Sequence, residues 1–117
     1  MPNHIAVHSL DQARAVLEQA RRDAATVILE SPRGAAGWQG IGWWREILRR
    51  LTAEFPEIAF DAVLDCADCP GLALAALRAG ITAVRLEAPA EVLAAIADIA
   101  GQLDARVEGV PSYRNFT

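Results

Sequence analysis

The chain has 117 residues, 53 % of them hydrophobic and 22 % charged, with a formal net charge of −4 at pH 7. That length supports one hydrophobic core, and the charged share excludes a disordered chain. All 11 basic residues are arginine, scattered among 15 acids, so neither the basic face that nucleic acid needs nor a membrane span of roughly 18 uncharged residues is expected.

The start of the chain, Met1-Pro2-Asn3-His4-Ile5, lacks the basic-then-apolar pattern of a secretory signal. Two cysteines without an export signal predict reduced thiols. The expectation is a single cytoplasmic domain over residues 1–117, with 109–117 an irregular tail.

His4 to His8 reads as a first, short strand. Ser9 follows as the cap of a helix, with Gln12 placed to complete a capping box. Leu10, Ala13, Val16, Leu17, Ala20 and Ala24 recur at helical spacing, with Arg14, Glu18, Arg21 and Arg22 on the other side. The β-branched run Thr26-Val27-Ile28-Leu29 predicts a buried strand, ended by Ser31-Pro32-Arg33-Gly34.

A second amphipathic helix places Ile41, Trp44, Ile47, Leu48, Leu51 and Phe55 on one face and stops at Pro56. Phe60 to Leu64 is the third strand. Beyond the tract Asp65-Cys66-Ala67-Asp68-Cys69-Pro70-Gly71, the segment Leu72 to Ala79 is a helix apolar nearly all round, closed by Gly80. Ile81 to Glu87 is a fourth strand, with Arg85 and Glu87 on one face. Pro89 opens the last helix, whose buried side is Val92, Leu93, Ile96, Ile99 and Leu103. Ala105 to Glu108 is a candidate fifth strand.

Strands alternating with helices predict βαβ units and a parallel sheet. The expected fold is α/β: a three-layer α/β/α sandwich with four to five parallel strands in the flavodoxin-like order 2-1-3-4(-5). A half (β/α) barrel-like arrangement is the alternative. The run Leu72-Ala-Leu-Ala-Ala-Leu-Arg-Ala-Gly80-Ile-Thr-Ala-Val-Arg-Leu-Glu-Ala-Pro-Ala90 resembles the helix–glycine–strand unit of class I aldolases of the keto-deoxy-phosphogluconate type. The resemblance implies βα architecture. The Schiff-base chemistry of those enzymes needs a lysine, and this sequence has none.

In a doubly wound sheet, ligands bind outside the carboxyl ends of the strands where the connection order reverses. For 2-1-3-4 that crevice would gather His8 and Ser9 from strand one with Asp65, Cys66, Asp68 and Cys69 from strand three. Ser31, Arg33 and Gly34 would flank it on one side and Glu87 on the other. Asp65, Asp68, His8 and Cys66 are the candidate catalytic groups. The carboxylates could exchange protons or bind hydroxyls, and equally could cap the next helix. His8 is either a catalytic group or a structural hydrogen-bonder.

The glycine-rich run from Ser31 to Gly42 offers backbone amides at Gly34 and Gly37 that, with Arg33, could cradle an anion. Its spacing matches no nucleotide fingerprint, and no cofactor is expected. The Cys66-x-x-Cys69 pair is the sharpest motif, but the flanking acids raise thiol pKa values, and no further Cys-His pair is present to complete a zinc shell.

Three readings follow: a module binding a small anionic metabolite, as an enzyme or not; a thiol–disulfide or thiol-sensing protein; and a non-catalytic interaction module. Receiver-domain signalling is disfavoured, since strand one ends in His8-Ser9 without an acidic pair. Trp43 and Trp44 point about 100° apart on their helix. Together with Trp38 and the aromatic tail residues Tyr113 and Phe116, they predict a homodimer or higher homo-oligomer burying Trp38 or Trp43.

Overall fold

The structure, a computed structural model, describes residues 3–112. Strands β1 (Asn3–Ala6), β2 (Val27–Glu30), β3 (Phe60–Asp65), β4 (Ala83–Ala88) and β5 (Arg106–Pro111) alternate with helices α1 (Leu10–Asp23), α2 (Ile41–Glu54), α3 (Pro70–Arg78) and α4 (Ala90–Gln102). A π-helical turn over Ala36–Gly40 leads into α2.

The α/β class and the parallel sheet are as the sequence predicts, with all five strands present. The strand order is not. Every strand pairs in parallel with its neighbour in sequence, giving β1-β2-β3-β4-β5. This corrects the flavodoxin-like order 2-1-3-4. The sequential order belongs to the barrel-like alternative. Right-handed crossovers between neighbours return each helix to the same side of the sheet. The helices accordingly neighbour one another in series, α1 beside α2 and α3 beside α4, with the π-turn against α3.

Periodicity explains the packing. Ala13, Leu17 and Ala20 of α1, Trp44, Ile47 and Leu51 of α2, and Ile96 and Ala100 of α4 are buried at helical spacing. They meet Leu29, Leu64, Val84 and Leu86 from the strands in one hydrophobic cluster. Trp44 is fully buried, and its Nε1 has no hydrogen-bond partner among the described residues. Burying an indole is worth about 4–6 kcal/mol, against roughly 1–3 kcal/mol for the unmade bond, so burial wins.

Several boundaries differ from expectation: β1 runs Asn3–Ala6 rather than from His4 to His8, and β4 runs Ala83–Ala88 rather than from Ile81 to Glu87. Gly109 to Pro111 belong to β5, so the irregular tail does not begin at 109, and Tyr113 and Phe116 lie outside the described residues. Leu103, expected in the core, is 46 % exposed because α4 ends at Gln102 and the chain turns through Asp104 at φ 56°.

The alternate strand positions carry charge. Arg85 donates to Glu30 at 2.8 Å and to Glu108 at 2.9 Å, and lies 3.9 Å from Asp65. His4 joins Glu30, and Arg106 bridges Asp61 and Glu108. The hydrogen bond from Arg85 holds the Glu30 carboxyl below its ordinary range, and the same bond raises the Arg85 guanidinium.

Candidate functional site

With no reversal in strand order there is no switch-point crevice between β1 and β3, since β2 lies between them. The carboxyl ends instead form a row. Backbone bonds step along it: Val7 to Glu30, Ser31 to Val63, Cys66 to Arg85, Glu87 to Ala67, and Ser112 to Ala88, all 2.8–3.0 Å. His8 and Ser9 therefore stand beside the β2 loop, away from Asp65.

Their chemistry is also local. Ser9 Oγ accepts the Gln12 N–H at 3.1 Å, and Gln12 Oε1 accepts the N–H of His8 at 2.6 Å. This is a capping box shifted by one residue. It commits Ser9 and leaves the His8 ring exposed.

Asp65 is 6 % exposed, and one oxygen organises two loops. Its Oδ1 accepts the N–H of Gly34 at 2.9 Å and of Ala67 at 2.8 Å. Ser31, also buried, accepts the Asp65 N–H through Oγ at 2.8 Å and donates to the Pro32 carbonyl at 3.1 Å. Ser31, Gly34 and Asp65 thus form one clasp between the β2 and β3 loops.

The expected anion cradle is corrected by the same bonds. The Gly34 amide is spent on Asp65, and the Gly37 amide donates to the Gly34 carbonyl at 2.9 Å. Trp38, 61 % exposed, closes the loop by donating Nε1 to the Arg33 carbonyl at 2.8 Å. Arg33 itself remains at the surface, 3.4 Å from Glu87.

The two cysteines separate. Cys66 is wholly buried, and burial first, then the nearby Asp65, pushes its thiol up to about 12. Cys69 is exposed at the start of α3 and makes no side-chain capping bond. A thiol held neutral at the strand end is a poor nucleophile.

Asp68 and Glu87 do come together. With Pro70, Ala88, Pro89, Val92 and Ser112 they line a cleft of about 430 Å³ at the carboxyl ends of β3 and β4. Pro70 opens α3 and Pro89 is the cap residue of α4, so the first turns of two helices, with their partial positive charge, lie beside the cleft. Other clefts, of about 330 and 430 Å³, lie near Phe55 and Ile81 toward the amino ends of the strands. Parallel α/β sheets place ligands at the opposite end.

Sequence reasoning missed Ser112, because β5 extends past the expected boundary, and missed the linkage of Glu30, Arg85 and Glu108. The signal for the latter was charge at alternate positions of β4 and β5, Arg85 and Glu87 in one and Arg106 and Glu108 in the other. Among the described residues no three His, Cys, Asp or Glu side chains gather as a metal ion requires, and no helix is long and apolar enough to cross a membrane.

No known family profile matches the chain. It is similar to the fructose-bisphosphate aldolase of Xanthobacter flavus, 25 % identical over 81 residues, which cover 69 % of this chain and 23 % of that protein. It is also similar to the fructose-bisphosphate aldolase of Nostoc sp. (strain PCC 7120), 27 % identical over 85 residues, or 73 % of this chain and 24 % of that protein. The chain spans about a quarter of the length of these relatives.

Proposed function

We propose that this chain binds a small hydroxylated metabolite carrying an anionic group in the cleft at the carboxyl ends of β3 and β4. The observation that carries the reading is the convergence there of Asp68, Glu87 and Ser112 with the first turns of α3 and α4. The carboxylates accept from hydroxyls, and the serine both accepts from and donates to them. The anionic group is taken by Arg33, whose exposed pair with Glu87 is worth at most about 1 kcal/mol and opens readily. The helix N-termini offset part of the carboxylate charge.

The two similar proteins are named for fructose bisphosphate, a sugar with both features. Binding is the core of the proposal. Where a reaction follows, Asp68 and Glu87 are the side chains placed to move a proton on the ligand. The reading with a reactive thiol pair loses support from the burial of Cys66.

Calorimetry with fructose 1,6-bisphosphate and with fructose tests the reading. Arg33→Ala is expected to weaken the phosphorylated ligand about tenfold and to leave the unphosphorylated one unchanged. Asp68→Asn weakens both. No binding of either sugar, or equal loss of both on Arg33→Ala, contradicts it.

A further inference from the structure

Trp38 is the most exposed large apolar side chain among the described residues, yet it is fixed in place. Its Nε1 donates to the Arg33 carbonyl at 2.8 Å, and its Cδ1 and Nε1 lie 3.7 Å from the point where a Cβ on Gly34 would stand. The pyrrole edge of the indole is thus seated on the Arg33–Gly34 backbone. The rest of the ring system supplies the exposed area.

The loop under the indole is anchored on both sides. Trp38 is the middle residue of the π-helical turn Ala36–Gly40, a rare geometry that concentrates at functional sites. Gly37 packs so closely on α3 that a Cβ there would stand 3.1 Å from Leu72 Cδ1. Gly34 at φ 70° and Ala67 at φ 51° are both left-handed, and one Asp65 oxygen holds the two amides. That conformation is costly for alanine. A loop that only joined β2 to α2 would gain more by turning its indole inward, as Trp44 does.

Arg33 links this platform to the cleft. Its carbonyl takes the indole N–H, and its guanidinium reaches Glu87, which lines the cleft with Asp68 and Ser112. The backbone makes the same connection, because the Glu87 N–H donates to the Ala67 carbonyl at 2.8 Å. Arg33 therefore stands between a flat aromatic face and a set of hydroxyl-binding groups.

We propose, resting on the cleft reading above, that the ligand is a nucleoside diphosphate sugar. Its base stacks on Trp38, its diphosphate meets Arg33, and its sugar hydroxyls enter the cleft at Asp68 and Glu87. The order of ring, anion and hydroxyls along such a ligand matches the order of Trp38, Arg33 and cleft along the carboxyl ends. The indole N–H is already committed to Arg33, so Trp38 offers a π face and no hydrogen bond. A base is held by its face, whereas a sugar ring rimmed by hydroxyls asks for polar partners. Stacking reads no base edge, so it needs none of the glycine spacing of a nucleotide fingerprint.

Calorimetry and tryptophan fluorescence of the intact chain with ADP-glucose, glucose 1-phosphate and fructose 1,6-bisphosphate test this, with circular dichroism and sedimentation of each variant. ADP-glucose is expected to bind about tenfold tighter than glucose 1-phosphate and to quench the emission. Trp38→Ala removes that advantage and leaves the two base-free ligands unchanged. Trp38→Phe lacks the N–H but keeps a flat face, so it retains most of the advantage while the quench disappears. Binding of fructose 1,6-bisphosphate with no gain for ADP-glucose overturns this inference and leaves the cleft reading standing. No binding of any of the three overturns both. An ADP-glucose advantage that survives Trp38→Ala also overturns the inference, as does a dimer that Trp38→Ala breaks apart, since a second copy then covers the indole.

Discussion

Asp65 shows how a residue chosen for catalysis can be consumed by architecture. One of its oxygens satisfies two part-buried backbone N–H groups, those of Gly34 and Ala67. Asp65→Ala is expected to destabilise the fold by about 2–4 kcal/mol, since two part-buried donors each lose an acceptor, at the lower end of roughly 1–3 kcal/mol apiece. Asp65→Asn keeps one acceptor oxygen and recovers part of that loss. Denaturant unfolding of the two variants reads the difference. Equal stability of the alanine variant and the parent would show that water replaces the carboxylate.

Cys66 carries the pH dependence. Its thiol is held neutral by burial, with a pKa pushed up to about 12. A group whose folded pKa lies above its unfolded value stabilises fully below the unfolded value, ordinarily about 8.5, and loses that contribution as pH rises toward the folded value. Stability is therefore expected to fall above about pH 8.5, by on the order of 1 kcal/mol per unit, and Cys66→Ala flattens the slope. At neutral pH only Cys69 is expected to react promptly with iodoacetamide. Prompt modification of both thiols in the folded chain would contradict this account and restore the thiol reading.

At the scale of elements, the sequence was most legible where periodicity is strong. Trp44, Ile47 and Leu51 were placed in the core by their spacing, and Ser9 was placed as a cap by its neighbours. Strand order was not legible, because each βα unit is locally compatible with either side of the strand before it. That ambiguity moved His8 and Ser9 into the wrong company. The glycine loop failed for a different reason: glycine content shows that a chain can expose its amides, but not whether a distant carboxylate such as Asp65 will claim them.

The end of α1 offers a direct test of backbone energetics. Ala24 caps the helix in the left-handed region, φ 51° and ψ 40°, with its N–H on the carbonyls of Ala20 and Arg21. A Cβ is disfavoured there and glycine is not. Ala24→Gly is expected to raise stability by about 0.5–1 kcal/mol, visible as a higher melting temperature. A drop instead would mean that the entropy glycine adds to the unfolded chain outweighs the relief of strain.

For the whole molecule, the sequential sheet arranges three kinds of surface. The helix side holds the core. The charged side, from His4 through Glu30 and Arg85 to Glu108, is tied together by ion pairs. The carboxyl ends hold the cleft, where Asp68 and Glu87 remain unconsumed by the clasp that takes Ser31 and Asp65. Backbone amide shifts followed while the sugar phosphate is added test the central claim most directly. The account predicts saturable changes at Arg33, Gly71, Glu87, Ala90 and Ser112, around the carboxyl-end cleft. Changes confined to the groove at Leu48, Thr52 and Ile81, or no change at saturating ligand, would contradict it.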